Sequence, residues 1–81
     1  MKARVTVTLK SGVLDPQGKA IEGALAALNF QGVNEVRQGK VFDLDIQATS
    51  QNEANEKLAA MCERLLANMV IEDYAIEWVS A

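Results

Sequence analysis

VNEVRQGKVFDLDIQA, residues 33–48, carries two short runs of apolar and β-branched residues on either side of Gln38-Gly39. The runs 33–37 and 40–48 read as two strands, with Gly39 supplying the positive φ that a tight turn between them needs. In the second run Phe42, Leu44, Ile46 and Ala48 share one face, and Asp43, Asp45 and Gln47 share the other. A central hairpin flanked by helical patterns separates a β-α-β-β-α-β chain from a simple alternation of strands and helices.

Toward the N-terminus, residues 2–10 alternate Ala3, Val5, Val7 and Leu9 with Lys2, Arg4, Thr6, Thr8 and Lys10, the pattern of a half-buried strand. SGVLDPQGKAI, residues 11–21, then opens a helix. Asp15 is placed to cap it, and Pro16 suits the first helical position, where its missing N–H costs nothing. Ile21, Ala24, Leu25 and Leu28 make one apolar stripe, and Gly32 is the expected C-terminal cap. Gly18 and Gly23 each cost this helix about 1 kcal/mol relative to Ala, so something is expected to approach it closely, a partner chain for instance.

Toward the C-terminus, Ser50 and Glu53 form an S-x-x-E capping box. The helix it opens points Ala54, Leu58, Met61, Cys62, Leu65 and Leu66 at the core, and residues 74–79 form the last strand. The sum is a single α+β domain over 1–81 of ferredoxin-like topology, an antiparallel sheet with both helices on one face. The other face, with Thr6, Thr8, Val41 and Asp43, suits a partner or water, and a homodimer is expected.

Composition narrows the function. At 81 residues the core is thin, since chains of this size bury only roughly 60% of their unfolded surface. A net charge of −3 without a basic patch argues against nucleic acid, and no apolar run approaches a membrane span. The strand-like N-terminus does not read as a signal peptide, so the expected location is cytoplasmic. With no His and one Cys, the chain lacks Ser-His and Cys-His mechanisms, His-containing zinc patterns and an internal disulfide.

The remaining candidates for chemistry are weak. The loop fails the G-x-x-x-x-G-K-[ST] pattern, because Lys19 is followed by Ala20. Asp43 and Asp45 read as a solvated strand face. Cys62 reads as a buried, inert thiol. Tyr74 and Trp78 suit either an interface or the core. An acylphosphatase-like loop would need an Arg, which SGVLDPQG lacks, and Phe42 alone cannot make an RNA-stacking platform. A small-molecule-binding regulatory domain of the ACT type remains as an alternative.

KSGVLDPQGKAIEGAL (10–25) and MCERLLANMVIEDYAIE (61–77), with VRQGK (36–40) between them, closely resemble the small PurS-type subunit of phosphoribosylformylglycinamidine synthase, also called formylglycinamide ribonucleotide amidotransferase. The resemblance spans essentially the whole chain; Met69 stands where Pro is expected. It implies a non-catalytic subunit of purine biosynthesis that forms homodimers. It also implies a bridge between a glutaminase subunit and a large synthetase subunit, so that ammonia from glutamine reaches formylglycinamide ribonucleotide. On that resemblance ATP and Mg belong to the synthetase, and this chain binds no cofactor. The matching motif residues are then interface candidates: Gly12, Val13, Leu14, Asp15, Pro16, Gln17 and Gly18 from the first loop. Arg37, Gly39 and Lys40 come from the hairpin, and Asn68, Glu72, Asp73 and Tyr74 from the second long motif.

Overall fold

The computed structural model describes residues 1–79; residues 80–81, the end of the expected domain, lie outside the described residues. The elements are β1 (Lys2–Leu9), α1 (Pro16–Ala27), β2 (Lys40–Asp45), α2 (Gln51–Met61), a π-helical turn over Cys62–Leu66, and β3 (Glu72–Val79). β1 is the centre of a three-stranded sheet of order β2-β1-β3 and runs antiparallel to both neighbours. The α+β class holds, and this order is that of a ferredoxin-like sheet with one outer strand missing.

The alternation along β1 does what the sequence predicts. Ala3, Val5 and Val7 are buried and meet Leu58, Cys62, Ile46 and Ala67 in one small core, with Phe42, Leu44, Leu66, Tyr74, Ile76 and Trp78 half-buried around it. The opposite sheet face is a charged ladder. Arg4 sits in register between Asp43 and Glu77, donating to Asp43 at 2.8 Å, and Lys2 is opposite Asp45. Val41 and Val79 lie exposed among these charges on the same face.

Four expectations are corrected. Residues 33–37 are not a strand, and Gly39 is not in the positive-φ region; only Gly12 and Gly32 are, among the described glycines. The segment is drawn away from β2 and along α1 by contacts described below. Gly32 is not the helix cap either. Asn29 takes that place with φ 68°: its N–H bonds to the Ala26 carbonyl and that of Phe30 to Leu25, the paired bonds of a Schellman ending. On the second helix Leu65 faces solvent, because the Ala67 N–H reaches back five residues to the Cys62 carbonyl; Met61, just before that turn, is 38% exposed. That wider turn carries Leu66 and Ala67 inward in place of Leu65.

The fourth correction concerns α1. Its predicted stripe exists, yet only Leu25 is half-buried; Ile21, Ala24 and Leu28 are exposed, Leu28 by 67%. α1 is not packed along the sheet beside α2 but projects from it. The radius of gyration is 16.2 Å, where a compact chain of this length has about 12 Å. The accessible surface is 5967 Å², where a compact chain of this mass exposes about 4,800 Å².

Candidate functional site

The three motif stretches converge at the base of α1, and a single carboxylate organises them. Asp15 is buried, with 5% of its surface exposed. One of its oxygens accepts the Gly18 N–H at 2.8 Å and caps the helix; the other accepts the Gln38 N–H at 2.7 Å. Both bonds favour the ionised form, the one from Gln38 most, and hold the Asp15 carboxyl below the usual carboxylate range. The cap expected from sequence therefore also ties the helix to a segment 23 residues away.

Arg37 completes the tie. Its guanidinium donates to the carbonyls of Val13 at 3.0 Å and Lys10 at 3.2 Å, and lies 3.5 Å from that of Leu9. A planar fork of donors suits several carbonyls of one turn, which a Lys could not span. Gly12, at φ 86°, lets the loop bend under this fork. The close approach predicted for α1 is real but comes from the chain itself. A Cβ on Gly18 would stand 2.2 Å from the Val36 carbonyl oxygen, whereas one on Gly23 would meet nothing within 4 Å. Gly39 is required for the same reason: its Cβ would be 2.6 Å from the Val7 carbonyl oxygen.

Around this knot lies an open cleft of about 460 Å³, bounded by Asp15, Pro16, Gln17, Gln38, Gly39, Lys40 and Glu72 over a floor of Val7 and Leu9. Lys40 stands 3.9 Å from Glu72. Glu72 in turn accepts the Asn68 N–H at 2.7 Å, and Asn68 closes the turn before β3 by accepting from Val70 at 3.0 Å. Asn68 thus holds the turn in which Met69 replaces the expected Pro.

Not every candidate joins the cleft. Leu14 points to solvent, and Asp73 pairs with Lys10 at 2.5 Å. Tyr74 donates to Glu63 at 2.9 Å, a bond that raises its phenol pKa. Sequence reasoning missed Gln38 and Val36, which act through backbone atoms and leave no side-chain signal. It missed Asn29 because Gly32 nearby looked like the better cap.

The site contains little that could do chemistry. The anionic Asp15 occupies the helix entrance where a phosphate would otherwise be received. Asp43 is neutralised by Arg4, which lowers its pKa. Burial pushes the Cys62 thiol up, away from thiolate. Among the described residues no group of His, Cys, Asp or Glu could hold a metal ion, and no helix is long and apolar enough to cross a membrane.

A family model described as PurS, phosphoribosylformylglycinamidine (FGAM) synthase, matches residues 2–80. The chain belongs to the PurS family. It is 50% identical over 78 residues to the phosphoribosylformylglycinamidine synthase subunit PurS of Archaeoglobus fulgidus, covering 96% of this chain and 98% of that one. The solved PurS of Bacillus subtilis superposes with a TM-score of 0.86 at 46% identity, covering 94% of each chain. A chain of the PurLQS structure from Thermotoga maritima does so with a TM-score of 0.88 at 33% identity, over 96% of this chain and 95% of that one. The projecting α1 therefore belongs to a chain trace that superposes closely on solved relatives.

Proposed function

We propose that this chain is the small, non-catalytic subunit of phosphoribosylformylglycinamidine synthase in purine biosynthesis. It joins a glutaminase subunit to an ATP-dependent synthetase subunit, so that glutamine-derived ammonia reaches formylglycinamide ribonucleotide. The observation that carries the reading is the full-length match to PurS subunits, including one from a PurLQS assembly. It accords with a site whose motif residues are spent on shaping a surface: Asp15 is held by two backbone N–H groups, and Lys40 lies beside Glu72. ATP and Mg²⁺ belong to the synthetase in this reading, and the cytoplasm is the working compartment.

The chain works as a homodimer. It exposes roughly 1,200 Å² more than a compact chain of its mass, above the ~800 Å² each partner contributes to a standard interface. Leu28 and Phe30, 67% and 59% exposed, lie within that excess. The test is co-elution of the chain with the glutaminase and synthetase of its own organism, with glutamine-dependent activity assayed on the same fractions. Activity that requires the small chain supports the bridge. Two large subunits that assemble and turn over without it overturn the reading.

A further inference from the structure

We propose that the outer edge of β3 takes an extended segment of a larger partner subunit as an added strand, one that alternates apolar and polar residues and sets a Lys or Arg beside Glu77. This rests on the bridging reading and specifies where a partner is held. β3 has a strand neighbour on one side, β1. The Lys10 N–H donates to the Ile71 carbonyl at 2.8 Å, and bonded pairs alternate along an antiparallel ladder from there. Asp73, Ala75, Glu77 and Val79 therefore exchange their bonds with β1, while Tyr74, Ile76 and Trp78 turn N–H and C=O outward.

Proteins blunt such an edge with Lys, Pro, a bulge or a short strand. β3 has none of these: it runs eight residues, EDYAIEWV, paired with β1 at every position. β2, at the other edge, is six residues long and opens on Lys40. On the helix side Tyr74, Ile76 and Trp78 are half-buried, where their β1 neighbours Val7, Val5 and Ala3 are at 2% exposure or less. Apolar residues of an added strand would complete the cover of that row. On the other face Asp73 pairs with Lys10, but Arg4, in register with Glu77, gives its hydrogen bonds to Asp43. Exposed Glu77 thus suits a cation from the added strand. The same charges oppose a second copy here. Two β3 strands paired antiparallel about Ala75 would set Asp73 against Glu77 of the partner subunit, and like charges directly opposite are destabilising.

Amide hydrogen exchange along β3 tests this, in the full chain by itself and in its co-eluting complex with the glutaminase and synthetase of its own organism. The Tyr74, Ile76 and Trp78 amides should exchange fast in the chain and at least about tenfold more slowly in the complex, while Asp73, Ala75 and Glu77 are slow in both. Protection gained at every second residue is the mark of a strand bonded to the edge; a contact through side chains does not give it. Glu77→Gln should weaken binding about two- to fivefold, and a variant that binds as tightly as the unaltered chain overturns the cation beside Glu77. A complex in which Tyr74, Ile76 and Trp78 still exchange fast overturns the added strand and leaves the bridge standing. The same amides already slow in the chain by itself would show that a second copy covers the edge, and would also overturn it. Subunits that do not co-elute with the chain overturn both.

Discussion

Gly18 and Gly23 lie five residues apart in one helix, and changing each to Ala should move stability in opposite directions. On propensity alone either change stabilises a helix by about 1 kcal/mol, because Ala loses less backbone freedom on folding than Gly. Gly23 is open, with nothing within 4 Å of an added Cβ, so Gly23→Ala should gain about that amount. At Gly18 the new Cβ would stand 2.2 Å from the Val36 carbonyl oxygen and 3.0 Å from the Asp15 carboxyl carbon. The first is a backbone atom held by its neighbours: Arg37 is bonded to the loop, and Gln38 to Asp15. It cannot rotate aside like the end of a side chain. Overpacking of this kind costs about 1–3 kcal/mol and exceeds the propensity gain, so Gly18→Ala should be net destabilising. For a domain of this size 1 kcal/mol moves the melting temperature by about 4–8 °C, so the two variants should straddle the unaltered chain. The melts must be run at one protein concentration, because association adds to apparent stability. If Gly18→Ala stabilises as much as Gly23→Ala, the 33–38 segment does not press on the helix and the proposed knot is wrong.

Further outcomes follow from the same site. Asp15, Asp43 and Glu53 all have carboxyl pKa values lowered by hydrogen bonds in the fold. A lowered folded pKa gives stability that is present above the unfolded value and lost as pH falls through the folded one. The melting temperature should therefore drop below about pH 4, and less steeply in Asp15→Asn. That variant keeps a cap for the Gly18 N–H but turns a donor toward the Gln38 N–H, so hydrogen exchange at Gln38 should accelerate while the start of α1 stays protected. Arg37→Lys keeps the charge and loses the fork; proteolysis within residues 10–14 should quicken, and an unchanged cleavage rate would remove Arg37 as the loop's tie. The Cys62 thiol should resist a thiol reagent in the folded chain at neutral pH and react at once in denaturant; rapid reaction without unfolding would contradict its burial.

Short-range signals read well from this sequence, and long-range ones did not. The alternation of β1, the Asp15-Pro16 entrance and the Ser50 cap, which accepts the Glu53 N–H at 3.1 Å, are set by neighbours within four residues. The run 33–37 has the composition of a strand, but its end is held elsewhere: the Val36 carbonyl packs on Gly18, the Arg37 guanidinium donates to the loop carbonyls, and the following Gln38 N–H goes to Asp15, partners that local pattern cannot display. The stripe on α1 was read as a buried face because apolar periodicity reports which side of a helix avoids water. It does not say whether the cover is the same chain. Leu65 failed differently: helical spacing assumes 3.6 residues per turn, and the wider turn at Cys62–Leu66 breaks that assumption. Of the candidate site, the residue types were legible from the family resemblance, and their division of labour was not.

That division bears on how the motif is to be probed. Asp15, Gly18, Arg37 and Gly39 hold the base of α1 together through named bonds and contacts, so changing any of them disturbs the shape that partners meet. Loss of assembly in such a variant would report on the scaffold as much as on contact. Among the described residues Leu14, at 70% exposure, and Gln17 carry no side-chain bond, and the Lys40–Glu72 pair is loose at 3.9 Å. A distant, partly exposed pair of this kind contributes little to stability. Neutralising the charge, in Lys40→Gln, should leave the melting temperature nearly unchanged. If the cleft is a contact surface in the assembly, the same change should weaken co-elution with the two larger subunits. A Lys40→Gln chain that melts normally and assembles normally would show that the cleft faces water in the complex, and that the motif is kept for the shape of α1's base alone.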